Sequence, residues 1–246
     1  MTIEFWNNRA NLGIKAGTQD LIGKELEIRA IEKHVKDGMT VLDAGCGNGI
    51  TALELASRYE VRITGVDFSP VLITDAVMSS VDAPLVGLVN FMVCDLNSLA
   101  HSFVRDRFDL IYTERAIINL PDWDTQKRVI ESLGNMLVPN GMYLMCECSQ
   151  DGLDRLNSLR LKVNLPVIIS PSHDLYIQEG RLDEVDLELD WDEDFSSTYY
   201  FISRVLNSWQ AMQAGVEPDY DAPINRLALS LPPIGDVGQV KLWAWR

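Results

Sequence analysis

Three aspartates close three successive apolar runs, at Asp43, Asp67 and Asp95, and the first of them opens a glycine-rich turn, Gly45-Cys46-Gly47-Asn48-Gly49. Glycines at alternate positions keep side chains off one face of such a turn, so a ligand can approach the backbone and the N-terminus of the following helix. A carboxylate after the second run can accept hydrogen bonds from both hydroxyls of a ribose, each charge-assisted bond contributing about 1.5–3 kcal/mol. A carboxylate after the third run can accept from an adenine amino group, with the backbone of Leu96 completing the base edge. The chemistry described is recognition of a nucleoside cofactor. Dinucleotide enzymes share glycines followed by an acid, but their glycines are spaced two and three, whereas these are spaced two and two. Asp43 also stands before the first glycine, where a dinucleotide fold usually keeps an apolar residue. A nicotinamide-dependent oxidoreductase is therefore the least favoured reading.

Parallel strands must carry these residues. The spacing predicts strand one over Met39–Asp43, a helix from the glycine turn to about Arg58, and strand two over Arg62–Val66, ending at Asp67. Ser69-Pro70 reads as a helix start, with serine as the cap and proline at the first position. Strand three is expected over Leu88–Val93, strand four over Phe108–Tyr112, a helix opened by Asp122 and Asp124, and strand five over Met142–Cys146 after the turn Pro139-Asn140-Gly141. Upstream, Thr18 is expected to cap a helix carrying Leu21, Ile22, Leu26, Ile28, Ile31 and Val35, ended by Asp37-Gly38. Alternating strands and helices imply a doubly wound parallel sheet, which binds ligands outside the carboxyl ends of its strands. Each of the three aspartates sits at such an end.

Beyond residue 148 the pattern changes. A helix is expected over 151–163, then a proline-bearing loop with His173 and Tyr176. Val185, Leu187, Leu189 and Trp191 alternate with Asp186, Glu188, Asp190 and Asp192, which reads as a strand over 185–191 with a solvated acidic face. Phe195 to about Met212 reads as one aromatic-rich helix, and 239–245 as a last strand.

The chain has 246 residues, 47% hydrophobic and 23% charged, ordinary values for a globular protein. We expect one domain over 1–246: a cap segment at 1–17, a cofactor-binding core at 18–148, and lid insertions at 149–184 and 192–238. A net charge of −15 opposes a large nucleic-acid interface. No apolar run approaches the ~20 residues that span a bilayer, and the N-terminus lacks a signal-peptide pattern. The four cysteines show neither disulfide nor zinc spacing, so we expect reduced thiols, no bound metal and a cytoplasmic location. The expected partner is a small molecule, with no nucleic acid and no membrane, in a monomer or homodimer.

Taken in order, these residues resemble the class I S-adenosylmethionine-dependent methyltransferases. Val41 to Gly49 is similar to their first motif, Gly65-Val66-Asp67-Phe68-Ser69 to the second, Cys94-Asp95-Leu96 to the third and Phe108–Tyr112 to the fourth. Leu137-Val138-Pro139-Asn140-Gly141-Met142 resembles the turn before strand five, with Asn140 in place of a glycine. The resemblance covers residues 18–147. It implies a Rossmann-like, doubly wound seven-stranded sheet of order 3-2-1-4-5-7-6 with strand seven antiparallel, and S-adenosyl-L-methionine as cofactor, leaving S-adenosyl-L-homocysteine.

By the resemblance, Gly45, Cys46 and Gly47 belong to the methionine end, Asp67 and Phe68 to the ribose and adenine edge, and Asp95 and Leu96 to the adenine, with Gly49 also among the cofactor-binding residues. Asp43 would hold the turn by bonding backbone amides. Thr113, Glu114 and Arg115 follow where the family faces the sulfonium and acceptor. Outside the span of the resemblance, Trp6 and Arg9 are expected to close over the cofactor from the N-terminal side, with Arg9 reaching the methionine carboxylate. The implied reaction is direct displacement at the sulfonium methyl. A hydroxyl acceptor needs a base and a carboxylate does not. His173 is the candidate base, with Glu114 and Glu147 as rivals. The chain lacks the Asn/Asp-Pro-Pro-Tyr motif of amide- and base-nitrogen methylation, which favours a small polar metabolite. The runs Thr113–Leu120 and Ser-Ser-Thr-Tyr-Tyr are similar to methyltransferases of sugar and surface-polysaccharide pathways, implying a sugar hydroxyl. Methylation of a carboxylate or nitrogen, and a non-catalytic cofactor-binding protein, remain as alternatives.

Overall fold

The computed structural model describes residues 3–9, 12–13, 17–103 and 107–246, with the backbone alone at 100 and 101. The expected 1–17 segment thus lies partly outside the described residues. In chain order the elements are α1 (Ile3–Arg9), α2 (Leu21–Glu32), β1 (Thr40–Ala44), α3 (Ile50–Arg58), β2 (Arg62–Asp67), α4 (Pro70–Val81), β3 (Leu88–Val93), α5 (Leu99–Ser102), β4 (Phe108–Glu114), α6 (Trp123–Gly134), β5 (Leu137–Cys148), α7 (Gln150–Lys162), β6 (Leu189–Glu193), α8 (Ser197–Tyr200), α9 (Ser208–Ala214), α10 (Pro223–Arg226) and β7 (Val240–Trp245). The strands form one seven-stranded sheet of order β3-β2-β1-β4-β5-β7-β6. β7 runs antiparallel to β5 and β6, and the first five strands are parallel.

The core follows from the apolar runs. The middle of β4 and all of β7 are buried, as expected of strands covered on both faces. Tyr112, Tyr143, Trp243 and Trp245 are the largest side chains held there. β3 is the sheet edge and exposes Leu88 and Val93.

Most expected elements form within a residue or two, and four differ. α2 is capped by Asp20, whose Oδ1 accepts from Gly23 N at 2.8 Å, while Thr18 Oγ1 accepts from Asp20 N instead. The helix ends at Glu32, short of Val35. β5 begins at Leu137, which pairs with Phe108; residues 138–141 then bulge out, and pairing resumes between Met142 and Leu110. Asn140 supplies the left-handed conformation there, at φ 67°. β6 occupies Leu189–Glu193 rather than 185–191, because pairing with the last strand starts where Glu188 and Arg246 exchange backbone hydrogen bonds. Val185 and Leu187 are instead held by packing, Leu187 against the face of α6 at Gly134.

The helix expected over 195–212 is broken into α8, a π-helical segment at Phe201–Asn207, and α9. Side chains insert into its backbone ladder. Ser203 Oγ donates to Tyr199 O at 2.7 Å, Ser208 Oγ donates to Ser203 O at 3.3 Å, and the Arg160 guanidinium donates to Arg204 O.

Candidate functional site

The carboxyl ends of β1, β2 and β4 and the turn after β3 open into one cavity of about 430 Å³. Its floor is the glycine turn between β1 and α3. Gly45 and Cys46 both donate their N–H to Val66 O, at 2.8 and 2.9 Å, which ties the turn to β2. Gly45 has φ 89°, and a Cβ there would stand 2.3 Å from Ala116 Cβ, so the β4 loop can close over the turn only at a glycine. Gly47 has φ 54°, and a Cβ there would meet nothing within 4 Å. That open face lines the cavity beside the start of α3.

The carboxylates are arranged differently from one another. Asp67 Oδ2 accepts from Gly47 N at 3.0 Å and Oδ1 from Ser69 N at 2.8 Å. It therefore straps the glycine turn to the cap of α4, while each oxygen keeps a lone pair for a ligand. Burial raises its pKa, opposed by the two backbone bonds. Asp43 was expected to hold the turn amides; it instead accepts from Tyr112 Oη at 2.8 Å, and Asp67 and Val66 O take the amides. Burial lifts Asp43 to about 7, with the Tyr112 bond opposing. Asp95 is exposed and bonds Asn97 N at 2.9 Å, and Leu96 and Asn97 line the cavity beside it.

At the end of β4 lies a buried charged cluster. Glu114 accepts from Lys24 Nζ and from Thr51 Oγ1, the latter at 2.6 Å. Burial alone would raise its pKa, but Lys24 and neighbouring Glu27 and Arg115 hold it at about 2. Glu27 lies behind it, 3.1 Å from Arg115 Nη2, and burial drives its pKa well up. Arg115 has φ 52°, a left-handed conformation uncommon for a long side chain, fixed by its N–H bond to Cys146 O.

A second chamber of about 320 Å³ adjoins the first. Trp6, Gly17, Thr18, Arg115 and Asn119 line both and form the shared wall. The far side is built from the chain's extremes: Phe5 and Arg9 of α1, His173 and Tyr176 of the loop after α7, and Tyr200 and Arg204 around the π-helical segment. His173 Nε2 stands 3.4 Å from Asp174 Oδ1, and its ring is 5.1 Å from that of Phe5. α1 is docked by Asn7 Oδ1, which accepts from Ser69 Oγ at 2.6 Å, and by Trp6 packing on Leu72.

Of the residues named from sequence, Trp6, Asp43, Gly45, Cys46, Gly47, Asp67, Phe68, Asp95, Leu96, Glu114 and Arg115 line the first cavity. His173 lines the second. Four fall elsewhere. Arg9 lines the second chamber, its guanidinium over the rings of Phe5 and Trp6, and not the first cavity. Gly49 faces inward, where a Cβ would meet Phe91 Cζ at 2.7 Å, and so serves helix packing. Thr113 is wholly buried, 3.0 Å from Tyr143 Oη, because alternate residues of a strand face opposite sides. Glu147 is also wholly buried and reaches neither chamber. It accepts from Ala116 N and Ile117 N at 3.0 Å and from Ile118 N at 3.4 Å, anchoring the loop after β4. Burial raises its pKa to about 7 against those three bonds.

Sequence reasoning missed Lys24, Glu27, Thr51 and Arg204. A signal existed for the first two: Lys24 and Glu27 share a helical face with Ile31, an odd place for charges unless they meet partners inside. Arg204 gave none, since its place depends on the π-helical turn.

Residues 35–184 match a protein-family model described as a methyltransferase domain. The chain is 30% identical over 132 residues to phosphoethanolamine N-methyltransferase 1 of Zea mays, covering 53% of this chain and 25% of that protein. It is 25% identical over 211 residues to a probable tocopherol O-methyltransferase of Oryza sativa subsp. japonica, covering 77% and 57%. The chain thus spans about a quarter of one relative and little more than half of the other. A solved TehB-like SAM-dependent methyltransferase from Corynebacterium glutamicum superposes with a TM-score of 0.54 at 19% identity, over 89% of this chain and 86% of that one, a likeness of fold. The chain belongs to the methyltransferase domain family, with the class I fold whose cofactor is S-adenosylmethionine.

Proposed function

We propose that this chain transfers a methyl group from S-adenosylmethionine to a hydroxyl of a small polar metabolite, a sugar or similar acceptor, seated in the second chamber. The observation that carries the reading is the shared wall: two chambers, one lined by Asp67 and Asp95, meet at Arg115 and Asn119. The cofactor supplies a methyl carried on a positively charged sulfonium. The first cavity fits it, with an open face above Gly47 and lone pairs left on Asp67. We assign Asp67 to the ribose, Asp95 and Leu96 to the adenine, and the Gly45–Gly47 backbone to the methionine end. Glu114 and Lys24 offer an anion and a cation to its zwitterionic terminus.

On the acceptor side, Asn119 Oδ1 is buried without a hydrogen-bond partner among the described residues, while its Nδ2 donates to Arg115 O at 2.7 Å. It offers an acceptor to an incoming hydroxyl. His173 lines the same chamber and is the assigned base, oriented by Asp174. Holding two molecules together and excluding water accounts for much of the acceleration in such a displacement. Glu147 is not assigned a proton-transfer role, because its oxygens are spent on backbone amides. The relatives' printed activities differ, N-methyl transfer in one and O-methyl transfer in the other, so they select no acceptor.

The test is transfer from methyl-labelled cofactor to fractionated small-molecule pools, followed by alkaline treatment. Alkali-stable label that falls about 10²–10⁴-fold in His173→Asn supports a hydroxyl acceptor with His173 as base. Alkali-labile label means a methyl ester and overturns the hydroxyl assignment.

A further inference from the structure

The second chamber gathers three arginines, Arg9, Arg115 and Arg204, in a chain whose net charge is −15. Four carboxyls face them: Asp20, Glu27 and Asp174 in the chamber, and Glu114, 4.0 Å from Arg115 Nη2. Asp20 is spent: Oδ1 accepts from Gly23 N and Tyr199 Oη, and Oδ2 accepts from Arg204 Nη2 at 2.6 Å. Glu27 faces Arg115 and Asp174 faces His173. Burial raises the pKa of both Glu27 and Asp174.

Two of the three cations retain unused donors. Arg204 Nη1 and Arg115 Nε are both buried without a hydrogen-bond partner among the described residues. A buried donor left unmade is costly, so a ligand that meets it recovers that cost. Arg204 is also pre-set. Its guanidinium lies 3.9 Å from the Tyr220 ring centroid and near those of Tyr199 and Tyr200, with one nitrogen fixed by Asp20. It projects from the π-helical turn, a feature that recurs at functional sites.

We propose that the acceptor carries an anionic group, a carboxylate or a phosphate, and that Arg204 grips that group in the second chamber. This rests on the second chamber being the acceptor's seat. It narrows the acceptor to an acidic polar metabolite, such as a sugar bearing one of these groups.

The test uses protein saturated with S-adenosylhomocysteine and titrated with inorganic phosphate, propionate and choline at matched ionic strength. Phosphate or propionate is expected to bind, and the stronger of the two names the group; choline is not. Arg204→Lys keeps a cation for Asp20 but loses the fork, and should weaken the anion by about tenfold, the size of one charge-assisted bond. Arg204→Met should weaken it further, and homocysteine-product affinity should hold in both. Binding of choline in preference, binding of neither anion, or anion affinity unchanged in both variants overturns the proposal. Should the homocysteine product itself fail to bind the wild type, the cofactor reading fails separately, and the same anion criteria apply to the free protein.

Discussion

The two chambers are built by different means. The first cavity, the proposed cofactor site, is made of backbone turns and of carboxylates at consecutive strand ends, all between Asp43 and Pro121 apart from Trp6, Gly17, Thr18 and Lys24. The second chamber, the proposed acceptor seat, is made of side chains from α1, α2, the β4 loop, the segment after α7 and the π-helical turn, which the fold alone brings together. The first kind of site depends on tight backbone geometry at positions such as Gly45, where an added Cβ collides. The second depends on which side chains the insertions present, so it can change its ligand while the sheet stays the same.

That contrast can be broken by substitution, beginning with the largest effect. Gly45→Ala places a Cβ against Ala116 in a left-handed conformation. It should cost roughly 2–5 kcal/mol, the left-handed penalty plus overpacking. Gly180→Ala, in the segment after α7 and outside both chambers, meets nothing within 4 Å and should be nearly neutral. Chemical denaturation of both checks the difference; equal effects would dissolve the contrast.

The loop that joins the chambers should show its anchor in the pH dependence of stability. Glu147 has its pKa raised on folding to about 7, so its contribution favours the fold fully below about 4.5 and is lost as pH rises through about 7. A raised carboxyl of this kind is worth roughly 3 kcal/mol across the window. Urea midpoints of Glu147→Gln should depend less on pH than those of the wild type, leaving the slope due to Asp43, which is raised in the same direction to about 7. An unchanged slope would remove Glu147 from the account.

Asp67→Ala acts on the cofactor side alone. Loss of its bonds should weaken S-adenosylhomocysteine by about ten- to a hundredfold, the cost of one strong charge-assisted contact. The anion affinity of the second chamber should be little altered. The smallest effect belongs to Asn140→Gly, in the turn before the resumed pairing of β5. Its left-handed φ suits either residue, and stability should move by less than about 1 kcal/mol in a melt.

What sequence disclosed follows the same division. Asp67 and Asp95 could be placed because each needs only its own strand to end where it does. The glycine turn is local in the same way, although its hydrogen bonds were not: Asp67, not Asp43, holds the Gly47 amide, which depends on the separation of β1 and β2 in space. Thr113 was misplaced by treating the end of β4 as one patch, when strand alternation sends Tyr112 and Glu114 one way and Thr113 the other. Glu147 reads as a candidate base because a carboxyl at a strand end usually faces the ligand. Here the 3₁₀ turn at Ile117–Asn119 folds back over it and consumes its oxygens. β6 was set too early because alternation records burial, and Val185 and Leu187 find theirs by packing and not by a ladder. Arg204 lay beyond reach, since a helical periodicity continued through residues 201–207 points its side chain elsewhere than the π-helical turn does.

The central claim is that the carboxyl-end cavity holds S-adenosylmethionine through Asp67 and the glycine turn. Calorimetric titration of S-adenosylhomocysteine and of NAD into the wild type and Asp67→Ala tests it most directly. The account predicts one homocysteine-product site in the wild type, about ten- to a hundredfold weaker in Asp67→Ala, and no NAD binding. Binding of NAD alone, or a homocysteine-product affinity indifferent to Asp67, would contradict it.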